Sequence, residues 1–224
     1  LADKTKAPAT DSVVVIGLGR FGGQVADSLL RLGHEVLGID ENPKLVQEWS
    51  ERLTHVVQAD STDDDALRQL GVSEFRRAVV GIGSDIEASV LTVLALTEIG
   101  IREIWAKAIS VKHGKILKAV GARHVIYPEA AMGDRVAHLI TSKMLDFIEF
   151  DDGFAIAKVR TPKEAAGRTL AEVGIRTRYG ITVVGVKRPG QDFVYALPDT
   201  TIGTDEVLIV AGPTAAVQKF AART

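Results

Sequence analysis

Val13-Val14-Val15-Ile16-Gly17-Leu18-Gly19-Arg20-Phe21-Gly22 is the stretch from which the fold is read. Its first four residues are a continuous apolar run, the mark of a strand buried on both faces. Gly17, Gly19 and Gly22 then complete a G-x-G-x-x-G pattern. Beyond them Phe21, Val25, Leu29 and Leu32 recur at spacings of 4, 4 and 3, one stripe of an amphipathic helix. Asp40 stands at the tip of the next apolar run, 18 residues past Gly22. The glycine pattern is weak by itself, but strand, helix and acidic residue in this order predict a dinucleotide-type phosphate turn. In that reading Gly17 permits the tight turn and Gly19 lets phosphates approach the backbone. Gly22 lets the helix pack closely on the strand, and the exposed helix N–H groups bind anionic oxygen.

Outward from this unit the pattern repeats. Strands are predicted over 35–39, 55–58, 78–82, 103–108 and 123–127, with helices between them over about 43–53, up to 70, 85–98 and 111–119. Thr62 with Asp65 resembles a capping box for the helix ending at Leu70. Strict alternation predicts an α/β fold, a Rossmann-like doubly wound parallel sheet covered on both faces. Pro128 opens a further helix to Leu145, with Met132, Val136, Leu139 or Ile140, and Met144 as its stripe. Such a helix either crosses to a partner subunit or lies on its own sheet. After Asp151-Asp152-Gly153 the rhythm changes, with short strands at 154–160, 181–187, 192–195 and 206–210 and short helices at 168–173 and 214–220. These 74 residues make a small α+β module that would gain core by dimerising. The expected division is a loose tail over 1–11, a nucleotide-binding domain over 12–150 and a second domain over 151–224.

The side chains near the glycine turn allow finer expectations. Asp40 can accept both ribose hydroxyls and would repel a 2′-phosphate. Asp60, with Ser61 and Thr62, can meet an adenine edge or cap the next helix. Arg20 adds a fixed positive charge inside the turn, which suits a ligand with terminal phosphate such as ADP or ATP. It can equally be an exposed residue of the first helical turn. His34 and His55 read as structural, and Lys112, Lys115 and Lys118 as a solvated face.

Composition narrows the function classes. Of 224 residues 46% are hydrophobic and 25% charged, which excludes a disordered chain. Lys plus Arg is 27 against 29 for Asp plus Glu, so there is no basic surplus for nucleic acid. The absence of cysteine removes disulfides, thiolate metal sites and cysteine nucleophiles. No apolar run approaches a membrane span, and Leu1 to Lys6 lack the apolar core of a signal peptide, so an intracellular protein is expected. No Tyr is followed by Lys four residues on, and neither H-E-x-x-H nor G-x-x-x-x-G-K-[ST] occurs. A nucleotide pocket without a catalytic set points to a sensor rather than an enzyme.

Four segments belong together: Val-Ile-Gly-Leu-Gly-Arg-Phe-Gly-Gly at 15–23, Ala-Asp-Ser-Thr at 59–62, Gly-Ala-Arg-His-Val-Ile-Tyr-Pro-Glu at 121–129 and Ile-Arg-Thr-Arg-Tyr-Gly-Ile at 175–181. With them the chain, over about 12–212, resembles the cytosolic regulatory subunits of bacterial Ktr/Trk potassium uptake systems, built from RCK domains with N-terminal and C-terminal lobes. The resemblance implies that Gly17, Gly19, Arg20 and Gly22 hold nucleotide phosphates, with Arg20 on the terminal one and Leu18 and Phe21 among the nucleotide-binding residues. Asp40 would take the ribose and Asp60 with Thr62 the adenine, Lys107 would lie near the phosphates, and Glu41, Ser61, Ile82 and Gly83 would be further nucleotide-binding residues. Glu129 would meet a divalent cation, Mg²⁺ or Ca²⁺. The ligand would be ATP or ADP, each favouring a different ring shape, or NAD(H) if the chain is nearer the Trk-type regulators. The helix after Glu129 would make a homodimer, dimers an octameric ring, and the ring a partner for an integral-membrane potassium channel or transporter subunit at the inner membrane face. In part of the family the C-terminal lobe binds cyclic di-AMP, here at Leu170, Ile175, Arg176 and Pro198. A small NAD-dependent oxidoreductase is the reading from a different class.

Overall fold

The computed structural model describes residues 12–150 and 152–224; the tail expected over 1–11 and Asp151 lie outside the described residues. The first run is β1 (Ser12–Ile16), followed by α1 (Arg20–Arg31), β2 (Glu35–Asp40), α2 (Pro43–Ser50) and β3 (His55–Gln58). Then come α3 (Asp64–Gln69), β4 (Arg77–Val80), α4 (Ile86–Ile99), β5 (Glu103–Lys107), α5 (Val111–Ala119) and β6 (His124–Ile126). All six strands pair in parallel in the order β3-β2-β1-β4-β5-β6.

The apolar run of β1 is buried on both faces, as its composition requires. Val14 and Ile16 face one core with Leu67 of α3, Val93 and Leu96 of α4, and Leu117 of α5. Val13 and Val15 face the other with Ala26 of α1 and Trp49 of α2. Successive residues of a strand point to opposite sides, so one apolar run serves two layers. The second layer stops short of β5, where Trp105 is 39% exposed and stacks on His124 at 3.9 Å.

The described residues divide into two compact units between Glu129 and Ala130. The division therefore falls inside α6 (Pro128–Thr141) and not at the expected residue 150. Its helix ends before the expected Leu145, and Asp146–Phe150 form a strand, β7, that the sequence reading missed. β7 pairs antiparallel with β8 (Phe154–Arg160), bringing Phe147 opposite Ala157. Met144, expected on the helical stripe, is instead core in the second unit with Phe147, Val159 and Phe220.

The remaining elements are α7 (Leu170–Val173), α8 (Ile175–Tyr179), β9 (Thr182–Lys187), β10 (Phe193–Tyr195), β11 (Val207–Pro213) and α9 (Thr214–Ala221). The antiparallel sheet runs β10-β9-β11-β8-β7. Val217 and Phe220 of α9 pack into its core. Thr169 caps α7 through a complete capping box with Glu172. Among the described residues no helix is long and apolar enough to cross a membrane.

Candidate functional site

In the parallel sheet the strand order reverses between β1 and β4, and in such sheets ligands bind beyond the carboxyl ends of the strands at that point. A cleft of about 230 Å³ lies there, walled by the turns after β1, β2, β3 and β4. Backbone bonds lock these turns together: Gly17 N–H donates to Ile39 O at 2.8 Å and Gly81 N–H to Ile16 O at 2.7 Å.

The glycines of the first turn have separate physical reasons. Gly17 adopts φ +85°, where a side chain is strained. A Cβ on Gly22 would fall 1.8 Å from Gly17 O, so that residue must be small for the helix to start where it does. A Cβ on Gly19 would meet nothing within 4 Å. Its bareness serves no packing within the chain and leaves open space in front of the helix N-terminus. Gly19 caps α1 without a side-chain hydrogen bond, and no acidic residue occupies the first turn. The positive end of the helix is therefore presented to whatever enters the cleft.

Asp40, at the end of β2, lines the cleft and is buried. Its Oδ2 accepts from Leu18 N–H at 2.6 Å and its Oδ1 from Asn42 N–H at 2.8 Å. Each oxygen keeps further acceptor capacity for a ribose hydroxyl. Asp60 also lines the cleft, and its Oδ1 accepts from both Thr62 N–H at 2.9 Å and the Thr62 hydroxyl at 2.7 Å. The hydroxyl bond first, then the backbone one, hold its carboxyl below the usual 3.8. The cap of α3 is not Thr62 or Asp60 but Asp63, whose carboxylate accepts from Asp65 N–H and Ala66 N–H. The expected capping box is thus not formed: Thr62 is turned to Asp60. Ser61 is buried and hydrogen-bonded to Thr92 at 2.8 Å.

Not every predicted residue faces the cleft. Gly17, Gly19, Asp40, Glu41, Asp60, Ser61, Thr62, Ile82 and Gly83 line it, whereas Leu18, Arg20, Phe21, Gly22 and Lys107 do not. Leu18 is a core side chain, 1% exposed, and its N–H is already taken by Asp40. Phe21 packs with the α1–α2 layer. Arg20 is an exposed first-turn residue of α1. Lys107 lies beside the cleft, since a Cβ on Gly83 would come 3.2 Å from its Nζ. That Nζ donates to Glu129 Oε1 at 2.6 Å, with Lys107 13% and Glu129 67% exposed. This bond is the chief reason that the Glu129 carboxyl lies below its usual 4.5, and the charge of Arg20 adds to it. Lys107 and Glu129 thus pair beside the cleft, within reach of the charge of Arg20. Among the described residues no three His, Asp or Glu side chains form a metal-holding group within this chain. Gly81, Ser84 and Asp85, which the sequence reading left out, complete the wall after β4. Their signal was the turn chemistry of Gly81-Ile82-Gly83-Ser84-Asp85 directly after a buried strand.

In the second unit a cleft of about 320 Å³ is lined by Leu170, Ile175, Arg176 and Pro198, together with Thr182 and Leu197 among others. Arg176 and Pro198 are exposed, but Ile175 is core, so it supplies little surface to a ligand.

The TrkA-N domain model matches residues 13–128 and the TrkA-C domain model residues 154–224. The chain belongs to the TrkA-N/TrkA-C family. It is 37% identical over 210 residues to the Ktr system potassium uptake protein C of Bacillus subtilis (strain 168), covering 93% of this chain and 95% of that relative. The RCK domain of GsuK superposes with a TM-score of 0.66 at 21% identity, over 99% of this chain and 49% of that longer one. The GsuK channel bound to NAD gives the same TM-score at 20% identity, over 99% of this chain and 40% of that one. The TrkA-N match coincides with the parallel sheet and its cleft, and the TrkA-C match begins at β8. The expected Rossmann-like fold with a smaller second domain and the expected family membership are both borne out.

Proposed function

We propose that this TrkA-N/TrkA-C protein is a nucleotide-sensing regulatory subunit of a potassium uptake system and not an enzyme. The observation that carries the reading is the cleft at the strand reversal, where bare Gly19 and an uncapped helix N-terminus meet two carboxylates suited to a ribose and an adenine. Its chemistry is that of holding an adenine nucleotide. Gly19 and the first N–H groups of α1 take phosphate oxygen, Asp40 with Glu41 the ribose, and Asp60 the base. Arg20 and Lys107 supply positive charge toward the terminal phosphate. The near full-length likeness to a Ktr system potassium uptake protein supports the regulatory role.

On this reading ATP and ADP differ in what they offer to Arg20, Lys107 and Glu129, and that difference biases the assembly. Two copies form a dimer in which both Glu129 carboxylates approach the terminal phosphates, with a divalent cation between them. Dimers close into a ring of eight chains under an integral-membrane potassium channel or transporter subunit, and the chain works at the cytoplasmic membrane face. The second unit takes cyclic di-AMP across its own two-fold interface, where Arg176 from each copy meets one phosphate.

Titration calorimetry with ATP, ADP, NADH and NADPH tests the nucleotide reading. ATP and ADP are expected to bind more tightly than NADPH, because Asp40 opposes a 2′-phosphate. Arg20→Ala should weaken ATP about 10- to 150-fold and ADP less. NADPH as the tightest ligand rejects the reading. NADH as the tightest moves the chain to an NAD(H)-sensing regulator, the function that the NAD-bound GsuK channel brings into view.

A further inference from the structure

The opposite end of the same parallel sheet carries a second feature that the nucleotide reading does not use. A cleft of about 250 Å³ opens at the amino ends of β4, β5 and β6, lined by Arg76, Arg77, Arg102, Arg123 and Glu103. β4 begins at Arg77, and Arg102 and Arg123 stand directly before β5 and β6. The pairing Arg77 with Glu103 and the bond from Glu103 N–H to Arg76 O at 3.2 Å hold the first two edges in register. Only Arg77 is neutralised: its Nε lies 3.5 Å from Glu103 Oε2. Among the described residues Arg76, Arg102 and Arg123 have no ion pair. The chain as a whole carries a net charge of −2, so a concave site with four guanidinium groups and one carboxylate is a local inversion.

Arg102 and Arg123 each follow the carboxyl end of a helix, α4 and α5, where one cation is favourable. That accounts for a positive charge at each strand entry but not for four around a single concavity, where they repel one another. Guanidinium forks match the oxygens of phosphate in pairs. The residues that line the cleft are all charged, with no apolar or aromatic side chain to receive a base, so it suits a compact anion rather than a nucleotide. We propose that this arginine cleft is a second anion site, taking a compact, multiply charged phosphate compound. It lies at the start of β4, the strand whose other end forms the wall of the nucleotide cleft, so both ligands would act on one strand.

Calorimetric titration of the full chain with inorganic tripolyphosphate at low salt tests the proposal, using wild type, Arg102→Gln/Arg123→Gln, and Lys112→Gln/Lys115→Gln. Arg102→Gln/Arg123→Gln, the glutamine pair, should weaken binding about 10- to 100-fold. Lys112→Gln/Lys115→Gln, which removes the same charge from an exposed face of α5, should leave that binding event unchanged, and binding should weaken as salt rises. Both arginines are exposed, and unchanged thermal melting of the pair shows that any loss is local. Equal affinity in wild type and the glutamine pair overturns the proposal, because the anion is then held elsewhere, as at the glycine turn. Absence of tripolyphosphate binding by wild type also overturns it. Retention on phosphatidylglycerol vesicles that the glutamine pair abolishes, without tripolyphosphate binding, replaces the free anion with a membrane headgroup.

Discussion

Gly19 and Gly22 stand three residues apart in one motif, yet they meet opposite constraints. Alanine at 22 would drive its Cβ into the fixed carbonyl of Gly17, at a cost of about 1–3 kcal/mol as for other overpacking changes. Alanine at 19 has open space around its Cβ. Gly22→Ala is therefore expected to lower the thermal midpoint, whereas Gly19→Ala melts like wild type and loses nucleotide affinity in calorimetry. A Gly19→Ala protein that binds ATP normally would detach the motif from phosphate. Asp60 gives a pH-dependent counterpart. Folding holds its carboxyl below 3.8 through Thr62, so its contribution is complete at neutral pH and disappears as pH falls from 3.8 through the folded value. Thr62→Val removes the hydroxyl bond, so the variant's deficit in urea unfolding should be present at pH 7 and shrink below pH 3.8. A deficit that persists undiminished in acid would assign it to packing.

Among the elements, α3 takes its cap from one of several neighbouring residues that the sequence offers. Thr62, Asp63, Asp64 and Asp65 are all acceptable near a helix N-terminus, and spacing alone favoured Thr62. The structure gives the cap to Asp63, whose Oδ1 accepts from Asp65 N–H at 3.0 Å and Ala66 N–H at 3.1 Å. Asp63→Ala should then cost about 1 kcal/mol in denaturant unfolding. Thr62→Val should leave the helix content of the circular dichroism spectrum unchanged, and loss of helix there would return the cap to Thr62. α4 and α5 were legible from the strict alternation of strands and helices, and Gly100 and Gly121 follow them. β7 was not. Asp146-Phe147-Ile148-Glu149-Phe150 has no strict alternation, and only pairing with β8 gives it an identity. Phe147 is buried there while Ile148 and Phe150 remain exposed.

For the whole molecule, the place of β7 changes what the second unit is. A piece starting at 151 would lack the edge strand and the core side chains Met144 and Phe147. Losing a buried Phe alone costs about 3–5 kcal/mol. The fragment 130–224 is expected to unfold cooperatively in urea, and 151–224 to unfold at a markedly lower midpoint or without a transition. Equal midpoints would restore the boundary near 150. Cyclic di-AMP binding is accordingly best sought with the full chain.

The sequence by itself determined the parallel sheet, the order of its strands and helices, the glycine turn and the acidic residue at the tip of β2. Those follow from periodicity and from steric rules that act within a few residues. Pairing with β8, the cap of α3, the turning of Thr62 to Asp60, the engagement of Leu18 N–H by Asp40 and the gathering of four arginines at the amino ends of three strands were decided by the tertiary structure alone. Each depends on groups that are separated along the chain or that compete locally for one partner. Which of several adequate donors reaches an acceptor is settled only when the strands are in register and the helices packed.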